Sequence, residues 1–296
     1  MRSYLDCLPC FLRQILQATR QVTADETIQR EVLDRAAALL PNLPLDATPI
    51  ELGRRLHGTV RDVTGVSDPY HKAKKRDNDR VLSLVPSLRD AIESSVDPLR
   101  TALWFAARGN AIDLGIRPHV NSHRVFGPQA QGDDGLRDYA RFRSQLDHVD
   151  EVLYIGDNAG EIVADRLAVE QLIRLGKAVT FVVRGRPIIN DVTEEDATYI
   201  GMDRIADVIS SGSDGPGTAL SLCHPAFVDH FRDAPLILAK GQGNFEGLSD
   251  EQIPVFFLLQ VKCTVVEREL GVDIGKHVLV CSSARSCKGI GDAATA

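Results

Sequence analysis

Through the first 145 residues the apolar positions recur every three or four places, and after Val149 that period breaks into short runs. Leu8, Phe11, Leu12, Ile15 and Leu16 share one helical face, as do Ile28, Val32, Leu33, Ala36 and Leu39. Thr48-Pro49 reads as an N-cap followed by a first-turn proline, opening a helix faced by Leu52, Leu56, Val60 and Val63. Leu82, Val85, Leu88 and Ile92 continue the pattern. Residues 99–112 (Leu99, Ala102, Leu103, Phe105, Ala106) are apolar enough for a buried helix. Residues 118–135 are polar and glycine-rich, and predict a long loop.

The later runs are 152–155, 179–183, 207–209, 236–239, 261–265 and 278–280, with helical patterns between several of them. The first such helix, 161–175, carries Ile162, Leu167, Val169, Leu172 and Ile173 and stops at Gly176. Strand, helix and strand at this spacing imply right-handed crossovers. The expected fold is α/β: a Rossmann-like, mostly parallel sheet with helices on both faces, preceded by an all-helical amino-terminal domain. The pattern divides the chain into a helical domain, 1–145, and an α/β domain, 146–296.

Composition narrows the function. With 296 residues, 44% of them hydrophobic and 25% charged, the chain is globular in character. A net charge of −7 disfavours a nucleic-acid partner and means that an anionic substrate must meet local positive charge or a bound cation. Neither a secretory h-region nor a run of membrane-spanning length is present, so a cytoplasmic protein without membrane contact is expected. Six cysteines include Cys7-Leu-Pro-Cys10 and a looser tail pair, Cys281 and Cys287. They read either as structural thiols or as metal or redox thiols; a four-thiolate zinc site would require the chain ends to meet.

Four polar clusters fall at predicted strand ends: 156–161 (Gly-Asp-Asn-Ala-Gly-Glu), 184–193 (with Asn190 and Asp191), 210–218, and 240–246 (Lys-Gly-Gln-Gly-Asn-Phe-Glu). In a parallel sheet these ends share one edge, so the clusters converge. Asp157, Asn158 and Asp191 offer oxygen donors suited to Mg²⁺ or Mn²⁺. Lys240 and the amides after Gly241 suit phosphate oxygens, as does the helix start at Gly160. Each cluster also has a plainer reading: a helix cap at Asp157-Asn158, a turn at Asp191, a flexible loop at 212–217, a solvated end at Lys240. The basic run 71–76 reads as a solvated helix face, or alternatively as a source of one lysine over the pocket.

No G-x-G-x-x-G follows the first α/β strand, and no P-loop, nucleophile elbow or H-E-x-x-H helix occurs. A Rossmann-like S-adenosylmethionine-dependent methyltransferase is one rival, although the second strand ends in Arg184 where a ribose-binding acid would be needed. A non-catalytic metal or phosphometabolite-binding module is another.

Taken together, 156–161, Asn190-Asp191-Val192-Thr193 with Asp196, and 240–246 resemble the metal-dependent damage-control phosphatases. Cys7-Leu-Pro-Cys10, Asp68-Pro69-Tyr70 with Lys72 and Lys75, Gly109-Asn110-Ala111-Ile112-Asp113 and Lys262-Cys263 are similar to the prokaryotic subgroup. The resemblance covers nearly the whole chain except the tail 281–296. It implies a helical bundle packed on an α/β domain, one divalent metal (Mg, Mn, Co or Ni), and a small phosphorylated metabolite as substrate. It makes Asp157, Asn158 and Asp191 the metal ligands and Lys240 the phosphate-binding cation. Asp157 and Lys240 would carry catalysis, with Glu161, Gly241, Asn110 and Asp113 lining the substrate pocket.

Overall fold

The computed structural model describes residues 1–109 and 135–282. Six strands, β1 (Glu151–Ile155), β2 (Ala178–Val183), β3 (Asp207–Ser210), β4 (Ile237–Lys240), β5 (Phe256–Gln260) and β6 (His277–Cys281), form one sheet in the order β3-β2-β1-β4-β5-β6. Every neighbouring pair is parallel except β5–β6. The chain winds outward from β1 in both directions, so the order reverses between β1 and β4. Ligands bind at such a switch point because the loops leaving its two strands diverge and open a crevice.

Strand alternation sorts the core into two faces. Val152 and Tyr154 of β1 enter one cluster and Leu153 and Ile155 the other. On the first face lie the helices α5 (Val85–Glu93), α6 (Pro98–Arg108), α7 (Tyr139–Leu146), α8 (Glu161–Arg174) and α9 (Glu194–Tyr199), whose Leu88, Leu103, Phe142, Leu167 and Ala197 join it. Phe142 meets Phe256 of β5 edge to face at 5.2 Å. On the second face lie α10 (Pro225–Asp233), α11 (Gly241–Leu248) and α12 (Thr264–Leu270), through Phe227, Phe231, Phe245, Leu248, Val265 and Val266. The α/β expectation therefore holds, with helices on both faces.

Helices α1 (Cys7–Val22), α2 (Glu26–Leu39) and α3 (Pro49–Thr64) form a separate cluster around Phe11, Ile15, Val32, Leu52 and Leu56. Thr48 caps α3 as its sequence implies, with a reciprocal bond from its backbone to Glu51. The core does not divide at residue 145, because α5 and α6 share their cluster with the sheet. Helix α4 (His71–Leu82) links the two regions. The amino group of Met1 donates to the Glu246 carbonyl at 2.8 Å, tying the start of the chain to α11.

Two sequence expectations need correction. The fifth strand is Phe256–Gln260, not 261–265. The apolar run begins at Val255 and is buried on both faces, whereas Lys262 is exposed and Cys263 is the N-cap of α12. The four-thiolate site does not form: Cys281 is buried in the first-face cluster, while Cys7 packs against the second. Cys287 and residues 118–134 of the expected loop lie outside the described residues. Burial pushes the Cys7 thiol up to about 11 and the Cys223 thiol up to about 12, the range of unreactive thiols. No helix among the described residues is long and apolar enough to cross a membrane.

One buried group links this fold to pH. His57 on α3 is enclosed between α3 and α1, with Nε2 3.4 Å from Gln14 Oε1, and burial aided by Arg61 pushes its pKa down to about 4. The unfolded chain protonates this ring near 6.5, before the folded chain does, so stability is full above that value and falls as pH drops toward 4. The group contributes up to about 3 kcal/mol of this dependence. Urea unfolding between pH 7 and 4.5 should show a shallower pH slope in His57→Gln than in the parent; identical slopes would show that His57 does not carry it.

Candidate functional site

The switch point brings together all four polar clusters, the 210–218 loop joining through Gly217 and Thr218. Gly156 N donates to the Val182 carbonyl, Val192 N to the Asp157 carbonyl at 2.9 Å, and Ala159 N to the Asn190 carbonyl at 2.9 Å. These bonds, with the antiparallel bridge between Asn158 and Asp191, place the loop after β1 against the loop after β2. From β4 the chain enters α11 through Gly241, whose φ is +83°. A Cβ on Gly241 would lie 1.8 Å from Asp157 Oδ2, so only glycine lets the two loops meet.

Asp157, Asn158 and Asp191, the three expected ligands, are all buried here. Asn158 Nδ2 donates to Asp157 Oδ2 and to Glu161 Oε1, each at 2.9 Å. Asp191 Oδ2 accepts from Arg184 Nε at 2.8 Å and from Gly217 N at 2.9 Å; Asp191 Oδ1 takes part in neither bond. Arg184 is fully buried and is itself anchored by Thr218 Oγ1, the Gly156 carbonyl and Asn244 Oδ1. The sequence reading passed over this side chain as a site residue. Its signal was an arginine directly after Phe181-Val182-Val183, at the end of a mostly apolar strand.

Lys240, expected as the phosphate-binding cation, is 1% exposed and lies 3.2 Å from Glu161 Oε2 and 3.0 Å from Asp165 Oδ1. Tyr154 donates its hydroxyl to the same Asp165 oxygen at 2.9 Å, while Asp165 Oδ2 is buried without a partner among the described residues. Asp165 follows Glu161 by one helical turn, which is why one lysine meets both; that i, i+4 spacing was readable and was missed. A second buried tie, Lys74 with Asp68 at 3.1 Å and Asp196 at 2.9 Å, fastens α4 to α9. From the same α4, Asn78 Oδ1 accepts from Gly160 N at 2.6 Å and so holds the start of α8. The basic run is thus split. Lys74 is interior, whereas Lys75 is exposed, on the Tyr199 ring and beside Asp79. Asn110 and Asp113 lie outside the described residues.

The electrostatics are unbalanced. Among the described residues, four buried carboxylates (Asp157, Glu161, Asp165, Asp191) share this interior with two buried cations, Lys240 and Arg184. Burial, Glu161 and Asp191 push the Asp157 carboxyl up to about 8. Burial also raises Asp191, against the opposing pull of Arg184, and brings Asp165 to about 6, against that of Lys240. Burial works against the Lys240 ammonium, but Asp165, Glu161 and Asp157 outweigh it and hold its pKa above the usual value. Among the described residues no three His, Cys, Asp or Glu side chains converge to ligate a metal. The donor set is instead two carboxylates and an amide oxygen, which suits a hard divalent cation that keeps water and substrate in its remaining positions. The excess of carboxylates over cations fits the same ion. The residues present therefore fit the group.

Known proteins resemble the chain along most of its length. The model for the damage-control phosphatase ARMT1-like domain matches residues 3–278. An uncharacterised protein of Methanocaldococcus jannaschii is 31% identical over 285 residues, 93% of this chain and 94% of its own. A protein of Archaeoglobus fulgidus named a damage-control phosphatase is 34% identical over 283 residues, 92% of this chain and 96% of its own. A crystal structure of a DUF89 family protein from Pyrococcus horikoshii superposes with a TM-score of 0.86 at 29% identity, covering 95% of this chain and 99% of that one.

Arg184 is the test of the site's internal charge balance. Arg184→Met should leave Asp191 buried and unpaired and lower the unfolding free energy by about 3–5 kcal/mol in urea titrations. A loss below about 1 kcal/mol, the worth of an exposed pair, would mean that the pair does not hold the loop.

Proposed function

The chain belongs to the ARMT1-like damage-control phosphatase family, and from that premise we propose that it is a divalent-metal-dependent phosphomonoester hydrolase acting on a small phosphorylated metabolite, a sugar phosphate or a damaged phosphometabolite. The observation that carries the metal dependence is the uncompensated negative charge buried at the switch point beside a protonated lysine. A phosphate monoester would not enter an acidic interior unaided.

Asp157, Asp191 and the Asn158 amide oxygen would hold the cation, which when bound supplies charge neutralisation on the phosphoryl group and an activated water. The chain's own residues do the rest. Lys240 keeps its proton because Asp165 and Glu161 flank it, and it offers a fixed positive charge to the phosphoryl oxygens as charge builds on them. The amides that open α11 after Gly241 add donors at the same edge. Glu161 accepts from both Asn158 and Lys240 and so holds a ligand and the phosphate-binding cation in one register. Arg184 fixes Asp191 from behind, leaving Oδ1 for the ion. These positions are set before substrate arrives, so little reorganisation is left for the chemical step.

The methyltransferase alternative needs an acid at the end of β2 to hold a ribose; that position is Arg184, buried against Asp191.

Asp157→Ala should lower hydrolysis of p-nitrophenyl phosphate by about three orders of magnitude in the presence of Mg²⁺, Mn²⁺, Co²⁺ or Ni²⁺. It should also abolish the calorimetric signal for metal binding. Parental turnover in the variant would remove Asp157 from the site. Lys240→Met should reduce kcat/KM by about 10²–10³ with metal affinity retained; an unchanged kcat/KM would exclude Lys240 from phosphoryl handling. Gly241→Ala drives a methyl group into Asp157, so it should weaken metal binding as Asp157→Ala does, by calorimetric titration. Retained affinity would contradict the role given to that close approach.

A further inference from the structure

Two side-chain nitrogens beside this site are buried without a partner among the described residues: Arg108 Nε and His277 Nε2. Topology puts both at the edge where the parallel strands end. Strand β6 runs antiparallel to β5, so its first residue, His277, pairs with Gln260, the last residue of β5. Arg108 ends α6, which packs on β5, β6 and α8. The next residue, Gly109, lies so close to Glu161 that a Cβ on it would stand 3.1 Å from the Glu161 Cα, Cβ and Cγ. Arg108 is therefore one residue from the wall of the acidic interior.

The groups here have the opposite character to those around Asp157. The Arg108 guanidinium lies over the Trp104 ring at 4.5 Å, a contact that orients it without using Nε–H. Among the described residues no carboxylate pairs with Arg108. Lys262, exposed in the turn after β5, and Lys240 both lie within electrostatic reach of His277, as Arg108 does. Burial, then Arg108, Lys240 and Lys262, push the imidazole down to about 4, so near neutral pH the ring is uncharged and one of its nitrogens carries a proton. A buried N–H without an acceptor is unfavourable until one arrives, and the flanking cations select an anionic one.

We infer that Arg108 and His277, with Lys262 at the rim, form a second subsite that binds an oxyanionic group of the substrate distinct from the phosphoryl group handled at Asp157 and Lys240. This rests on the phosphatase reading above and narrows it: the preferred metabolite carries a carboxylate or a further phosphoryl group besides the ester that is cleaved. The acidic interior takes the cation and the reacting phosphate, and the Arg108–His277 side takes the far end of the molecule.

Phosphonates separate recognition from turnover, because they have no ester to cleave. The full chain with Mn²⁺ is titrated calorimetrically with alkylphosphonates of three to six carbons, the matching ω-phosphonocarboxylates and the matching bisphosphonates. The parent should bind at least one doubly anionic probe about tenfold more tightly than the alkylphosphonate of equal length, the worth of one charge-assisted hydrogen bond. The carboxylate and bisphosphonate arms identify which second group is recognised. Arg108→Gln should reduce the preference to within about twofold, and Arg108→Lys should retain part of it. If Arg108→Gln fails to fold, His277→Gln and Lys262→Gln carry the test, each lowering the preference. A parent without any preference, or a preference unchanged in the variants, would overturn the subsite. Phosphate release from phosphoesters judges the phosphatase reading separately, so either idea can fail while the other stands.

Discussion

Among the described residues, four buried carboxylates opposed by two buried cations impose the constraint around which this site is built. Charge is costly to bury, and an excess of one sign is tolerated only where something of the other sign completes it. The surrounding structure serves to hold that excess in place. Gly241 permits the approach of α11 to Asp157, Arg184 clamps Asp191, and Lys240 is held by Asp165 and Glu161. The raised carboxyl pKa of Asp157 is the same fact expressed as proton affinity: without a cation, a proton is the nearest substitute.

The helices preceding the sheet take part in this arrangement rather than standing apart from it. Asn78 on α4 accepts the Gly160 amide, Lys74 ties α4 to Asp196, and Gly109 presses on Glu161. The first and third bear on α8, which carries Glu161 and Asp165; the second holds Asp196, which accepts from Thr193 N two residues after Asp191. The sheet supplies the crevice through its strand order, and the helical region sets how the start of α8 sits within it. Such a division lets pocket shape vary with the helices while the ion-holding residues keep their places on the strand ends.

Much of this was legible in the chain. The change of period near Val149, the Thr48-Pro49 helix start and the convergence of Asp157, Asn158, Asp191 and Lys240 all follow from local pattern plus the rule that parallel strands end on one edge. What escaped reading depends on partners far apart in sequence. Arg184 looks like a strand end until Asp191, Thr218 and Asn244 are brought around it. Lys74 looks like one more charge in an exposed run until Asp196, 122 residues away, buries it. The misplaced fifth strand has a different cause: 255–259 is apolar throughout and Val261 extends the run past Gln260, so no alternation marks its edges.

The central claim is that one divalent cation completes the buried acidic cluster. Its most direct test is anomalous diffraction from crystals of the full chain soaked in Mn²⁺. The account requires a single strong peak in contact with oxygen atoms of Asp157, Asn158 and Asp191, at roughly 2.0–2.2 Å as expected for a hard octahedral ion. A cluster that stays empty at saturating Mn²⁺, or a peak confined to Asp68 and Asp196, would refute it.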